Sequence, residues 1–388
     1  MALVGLLKST APFTKVRLVK DKAVTDNVVF QLHYRFTTGI LFVFCILCTA
    51  SNLIGKAIDC ISGPEFKDRE KVINSYCWIT STFTLPYQLD KPVGTHVAAP
   101  GIGPFVPDEN DTVYHAYYQW VPFVLFFQGL LFYAPHWLWK NWEHGKMKSI
   151  TKDLRENTLE VSQSIKDRKQ LLVTYLISYM RYHHFYAFVY LLCELLNFAN
   201  VVGNIFFIDK FLGNTFLNYG LEVLNNIGKN QEERTDPMIA IFPRLTKCTL
   251  NLYGVSGTIT NKDFLCVLPQ NILNEKIYIF LWFWFIILSV LSGLAVLYSI
   301  VLAVFPPLRR LILTKFLDYT STLSPIIENT EANHFFILHL LGKNLPSVLF
   351  HELLDDVAVA LTNNKLHKPE ELGETFMSPD NEKVATNV

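Results

Sequence analysis

The cysteines carry the most specific chemistry in this chain, and their positions sort into two classes. Cys60 and Cys77 lie between the first and second of four long apolar runs, and Cys248 and Cys266 lie between the third and fourth. Cys45, Cys48 and Cys193 fall inside the runs. Paired cysteines in alternate connecting segments point to disulfide chemistry, which needs an oxidising compartment. Both segments then face the outer side of a membrane, and both chain ends face the inner side.

Arrangements that would carry catalysis are incomplete. His351-Glu352 is followed by Asp355 where a metalloprotease helix needs a second histidine. Gly101 and Gly103 lack the third glycine and the helix of a dinucleotide-binding turn. No phosphate-binding lysine loop or G-x-S-x-G is present. His183-His184 reads as an interfacial pair at a span edge rather than a metal site. The expectation is a protein that is not an enzyme and needs no metal or cofactor. Formal net charge is zero, so no whole-chain field draws it to nucleic acid.

The elements that position the cysteines are apolar. The chain is 51 % hydrophobic with positive mean hydropathy, high for a soluble protein. The segments read as an N-terminal cytoplasmic stretch (1–27), spans at 28–54, 114–139, 182–208 and 277–308, outer loops at 55–113 and 209–276, a cytoplasmic loop at 140–181 and a cytoplasmic C-terminal region at 309–388. The fourth span, Ile277 to Leu308, carries no formal charge. At about 1.5 Å per residue it reaches roughly 48 Å, longer than a ~30 Å hydrocarbon core, and it must tilt or project. The start lacks the features of a cleavable signal, so the first span serves as the insertion signal. Lys and Arg cluster before span one, between spans two and three, and at Arg309, Arg310 and Lys315, which places both termini and the middle loop inside.

Four cysteines allow three pairings. Matching their distances from the span ends favours a nested scheme, Cys60 with Cys266 and Cys77 with Cys248. The intraloop scheme, Cys60–Cys77 with Cys248–Cys266, remains open. The stretch Thr249–Thr260 alternates and turns at glycine, so it reads as a hairpin, while Pro92–Pro107 reads as irregular. Asn110-Asp111-Thr112 is a glycosylation acceptor on the outer side. In span three, Glu194, Asn197, Asn200 and Asn204 form one polar stripe. Interhelical bonding within the subunit is the preferred reading over pore lining, with Gln119 and Gln128 as partners. Pro122 and Pro135 are expected to kink span two. In the tail, Phe335–Leu341 and Pro346–Leu361 read as helices of a cytoplasmic dome separated by Gly342-Lys343-Asn344. Helix is expected to about residue 364 and disorder beyond, from His367. The terminal Thr386-Asn387-Val388 fits carboxylate capture by a PDZ domain. The fold class is therefore an all-α polytopic membrane protein, a four-helix bundle with disulfide-stapled outer loops holding some β structure and a helical cytoplasmic dome.

Tyr117-Tyr118-Gln119-Trp120-Val121 resembles the YYQWV signature of the innexins, the invertebrate gap-junction proteins. The resemblance continues in Ile58-Asp59-Cys60, Cys77-Trp78, Asp236-Pro237-Met238, Phe242-Pro243-Arg244-Leu245-Thr246-Lys247-Cys248 and Asn274-Glu275-Lys276-Ile277-Tyr278 running into Trp282-Phe283-Trp284. It covers residues 1–310, is most like an insect innexin, and matches no motif after Lys315. Two cysteines per outer loop fit this family, whereas vertebrate connexins have three. The resemblance implies a homo-oligomeric ring of about eight subunits in the plasma membrane that docks to an opposed hemichannel, with lipids and other innexins as further partners. It implies a pore for ions and small solutes, with Ala2, Leu3, Val4, Leu6 and Leu7 at or near the constriction and Lys56 and Asp59 at the outer end of the path. The apolar N-terminal residues have a second reading, packing against span one. Rival functions are an undocked hemichannel and an auxiliary or adhesive subunit; a secondary transporter is disfavoured by the lack of an inverted repeat.

Overall fold

The computed structural model describes residues 23–104, 112–156, 169–177, 185–226, 237–316 and 331–366. Four helices among them are long and apolar enough to cross a membrane: Val28–Ile54, Val121–Glu143, Tyr186–Phe211 and Gln270–Val304. Residues divide into two compact units, one of 28–139 and 192–298 and the other of 1–27, 140–191 and 299–388.

In the first unit, Leu41, Leu125, Phe132, Val201, Tyr278 and Phe285 belong to one buried cluster between the spans. Large apolar side chains such as Ile46, Phe127, Phe206 and Leu294 remain more than half exposed on these helices. Hydrocarbon is the solvent such faces require. The first span contains a π-helical turn over Leu32–Thr37. Thr37 Oγ1 donates to Leu32 O at 3.0 Å and accepts from Trp284 Nε1 at 2.9 Å, so the irregular turn is held by a neighbouring span.

Several boundaries differ from the sequence expectation: span three continues to Phe211 rather than 208, and span four is Gln270–Val304 rather than 277–308, ending before Pro306. Span two begins at Val121 rather than Tyr114, because Val113–His115 pairs as a strand and Tyr117–Gln119 forms a 3-10 turn. Pro122 therefore sits in the first turn of the helix, where a missing N–H costs nothing, and only Pro135 lies in the interior. The tail helices are Ala332–Asn344 and Ser347–Leu366, so Gly342-Lys343-Asn344 is helical and does not separate them. The break falls at Leu345, held extended at φ −102°, ψ 150° by the following Pro346.

Five antiparallel strands form one sheet in the order β1-β5-β4-β2-β3: β1 Asp59–Ile61, β2 Thr82–Thr84, β3 Val113–His115, β4 Leu245–Tyr253 and β5 Ile259–Val267. The β4–β5 hairpin is longer at both ends than the alternating stretch suggests. Its turn closes with Gly254 N donating to Thr258 O at 2.7 Å and Gly257 at φ +81°, a backbone state that glycine adopts without strain. Sequence-distant segments interleave in this sheet, since β1 pairs with β5 and β2 with β4.

The second unit is helical among its described residues. Glu143 accepts from Gly145 N and Met147 N at 2.7 Å each, capping the helix Lys146–Glu156. Arg309 Nη1 donates to Leu302 O and Ala303 O at 2.7 Å each, meeting carbonyls that the end of the fourth span leaves without helical partners. Asn344 Oδ1 accepts from Val24 N at 2.6 Å and its Nδ2 donates to Val24 O at 2.8 Å, joining the segment before span one to the tail helices. Lys169 bridges to Asp356 at 2.8 Å and Glu352 at 3.2 Å, tying the helix over 169–177 to Ser347–Leu366.

One close approach in the first unit makes a direct prediction. A Cβ added to Gly220 would overlap the Trp282 ring, whose Nε1 donates to Leu217 O at 3.2 Å. Gly220→Ala is expected to lower stability by about 1–3 kcal/mol through overpacking. Gly203→Ala, which meets nothing within 4 Å, should not destabilise comparably. Thermal unfolding of detergent-solubilised protein separates the two variants.

Candidate functional site: the disulfide-closed cap

The sheet brings the two cysteine-bearing segments together. Cys60 on β1 lies directly opposite Cys266 on β5, and their sulfurs are bonded. The second bond joins Cys77, on the helix Glu70–Thr80, to Cys248 on β4. Both bonds cross from one loop to the other and close chain separations of 206 and 171 residues. Each removes conformational freedom from the unfolded chain, typically about 2–4 kcal/mol. All four cysteines are buried, packed with Ile58, Ile73, Tyr118 and Phe264. The sulfurs of Cys60, Cys77 and Cys266 lie within 4.8 Å of one another, but as disulfides they offer no thiolate to a metal. Cys45, Cys48 and Cys193 are free thiols, and Cys48 Sγ donates to Asn274 Oδ1 at 3.7 Å.

The residues between the second disulfide and span two act as fasteners. Tyr118 is fully buried against Trp78, with ring centroids 4.6 Å apart, and Gln119 Nε2 donates to Trp78 O. Tyr117 Oη donates to Ile241 O at 3.1 Å, reaching the other loop. Burial raises the Tyr117 phenol well above its ordinary range and the Tyr118 phenol to about 12, so both remain neutral. Val121 is buried and Trp120 is exposed. Gln119 thus belongs to the cap and is not a partner for span three. Asn74 Oδ1 accepts from Cys60 N at 2.9 Å, linking the Cys77 helix to β1.

At the base of the cap, the carboxylate of Glu275 has no exposed side-chain surface and meets Arg244 at 3.0 Å and Lys276 at 2.7 Å. A carboxylate taken out of water needs such hydrogen-bonded partners to offset its desolvation. Sequence reading placed both Arg244 and Glu275 in motifs but could not show that they meet. Glu70, Asn74 and His115 were also missed, because nothing in their spacing marks a cross-loop partner.

Within span three, Glu194, Asn197 and Asn204 are buried, and Asn204 Nδ2 donates to Asn200 O at 2.9 Å and Asn200 Oδ1 at 3.0 Å. Part of the stripe is thus satisfied along its own helix. Gln128 is buried, and no hydrogen bond joins its amide to the stripe among the described residues. Lys56 and Asp59 sit just past the end of span one, 3.0 Å apart. Ala2, Leu3, Val4, Leu6, Leu7, Asn110, His183, His184, Asp236 and the Thr386-Asn387-Val388 terminus lie outside the described residues.

The innexin family model matches residues 26–361, nearly the whole of this two-disulfide, four-span arrangement. The chain belongs to the innexin family. It is 48 % identical to innexin inx3 of Drosophila melanogaster over 361 residues, covering 92 % of this chain and 90 % of that one. It is 44 % identical to innexin inx2 of the same fly, covering 89 % and 94 %, and 44 % identical to innexin inx2 of Schistocerca americana, covering 89 % and 96 %. As an innexin it is a multi-pass membrane protein of gap junctions, an oligomer-forming channel subunit rather than a member of an enzyme family.

His115 gives the innexin cap a pH dependence. It is buried, with Nε2 2.8 Å from Thr84 Oγ1, and burial lowers its pKa to about 4. The unfolded chain binds the proton near pH 6.5 and the folded chain only near 4, so stability is present above 6.5 and falls as pH drops between those values. Between pH 7 and 5 the loss should be about 2 kcal/mol. Unfolding midpoints of the solubilised protein at the two pH values check it: His115→Gln should reduce the difference by about that amount and leave the share of His339, which burial also holds near 4.

Proposed function

We propose that about eight copies of this innexin form a ring, with both termini cytoplasmic and the five-stranded sheet outside, docked to an opposed ring on the next cell. The observation that carries this reading is the joining of both outer loops into one covalently closed body. Its hairpin tip exposes Tyr253, Val255 and Ile259, an apolar edge suited to burial against a second cap. The distribution of Lys and Arg supports the orientation. In this arrangement Lys56 and Asp59 stand at the outer end of the path, and Ala2, Leu3, Val4, Leu6 and Leu7 approach the constriction from inside. The terminal Thr386-Asn387-Val388 offers a PDZ ligand, and a glycan on Asn110 would favour the undocked form. The reading extends to mixed rings with other innexins, supported by 44–48 % identity to insect innexins.

Junctional conductance between paired cells that lack endogenous coupling, each expressing only this chain, tests the reading. Conductance above control is expected, with surface delivery verified, and Cys60→Ser should abolish it by opening the cap. Absence of conductance in the delivered wild-type protein would replace self-sufficient docking with a hemichannel or an obligate mixed ring. Recovery by the C-terminal peptide of PDZ-domain proteins, lost when Val388 is amidated, checks the tail.

A further inference from the structure

The first span carries one formal charge. Arg35 lies about 10 Å along the helix from Val28 and is the single Lys, Arg, Asp or Glu between Val28 and Ile54. It stands in the π-helical turn Leu32–Thr37, and its neighbours fix which way it points. His33 Nε2 lies 2.6 Å from Ser292 Oγ, and Trp284 Nε1 donates to Thr37 Oγ1 at 2.9 Å, so the turn is anchored to the fourth span. Arg35, midway between those two anchors, turns its side chain the other way and is exposed. Tyr34 stacks on His136 of span two with ring centroids 3.6 Å apart, and its hydroxyl accepts from Arg35 Nε at 3.0 Å. The guanidinium carbon lies 5.3 Å from the centre of the same ring. Among the described residues no acid forms an ion pair with Arg35. Glu194, the acid at comparable depth on span three, is buried.

A charge within the hydrocarbon thickness is retained where it meets water or a counter-charge. Arg35 shares one exposed stripe with Gly39, Ile46, Thr49 and Leu53, and that stripe leads to Lys56 at the outer end of the span. We infer that Arg35 faces the conducting path near its inner end, where its repetition around the ring makes it a determinant of anion preference. The inference rests on the ring and on the placement of Lys56 and Asp59 proposed above. A passage lined by like charges concentrates counter-ions. Charges on either side do not cancel this one. Residues 1–27 hold five basic and two acidic side chains, the same net sign. Charges over residues 56–71 sum to zero. They also begin roughly 30 Å away at about 1.5 Å per residue, beyond the ~8 Å screening length at physiological salt.

The test is the transfer of a size-matched pair of dyes, one anionic and one cationic, between paired cells expressing only wild type, Arg35→Gln, Arg35→Glu or Arg35→Lys, with surface delivery measured. Arg35→Gln should lower the anion-to-cation transfer ratio about twofold or more, and Arg35→Glu should lower it further. Arg35→Lys should keep it near wild type. A ratio that follows charge at one position cannot come from a general loss of folding, which would lower both dyes together. Where a variant reaches the surface without coupling, the ratio is read in cells co-expressing it with wild type, and the same ordering is expected of the mixed rings. Coupling at one unchanged ratio in wild type, Arg35→Gln and Arg35→Glu, alone or mixed, would overturn the placement of Arg35. The guanidinium would then belong to a lipid phosphate or to an acid of the next subunit, and the ring would stand. Absence of coupling in delivered wild type would instead overturn the self-sufficient ring on which the inference rests.

Discussion

The cap depends on a covalent crossing between segments that are far apart in the chain. Cys60 faces Cys266 across β1 and β5, and Cys77 reaches Cys248 on the adjacent strand β4. A three-residue strand such as β1 has too little pairing to hold a register alone. The disulfide fixes it, and the fixed register then places Asp59 at the membrane-side end of the strand and Asn74 against the Cys60 amide. The signature tyrosines complete the closure: Tyr118 fills the space beside Trp78 and Tyr117 reaches the Ile241 carbonyl. Two cross-loop bonds and a shared sheet leave this body little freedom to rearrange, which is what the docking proposed above requires.

Beneath the cap, polar groups sit in apolar surroundings with specific partners. The Glu275 carboxylate lies between Arg244 and Lys276, Asn271 Nδ2 donates to Pro243 O at 2.7 Å, and Tyr219 Oη donates to the Glu275 carbonyl. Deeper in the spans, His33 Nε2 lies 2.6 Å from Ser292 Oγ, and Trp284 Nε1 bonds Thr37 at the π-helical turn. Helices in lipid gain little from burying apolar surface against one another, so such contacts specify which helix packs where. They connect the first span, which leads into Lys56 and Asp59, to the fourth.

Much of this was legible in the sequence because long apolar runs and paired cysteines act through one-dimensional signals. Run length gave the four spans, and distance from the span ends already favoured the nested cysteine pairing that the structure contains. The illegible parts depend on three-dimensional meeting. Tyr114 continues an apolar run, yet strand pairing with Phe83 keeps it out of the helix. Gly342 resembles a helix end, yet the restriction that Pro346 places on Leu345 sets the break. Glu70 and His115 carry no local pattern; their roles come from Lys56 and Thr84, which other elements supply.

The measurement that bears most directly on the closed cap is disulfide mapping of the non-reduced protein, with free thiols alkylated before proteolysis and linked peptides identified by mass spectrometry. The account predicts linked peptides joining Cys60 to Cys266 and Cys77 to Cys248, with alkylated Cys45, Cys48 and Cys193. Peptides joining Cys60 to Cys77 and Cys248 to Cys266 would contradict it, because each outer loop would then be closed on itself.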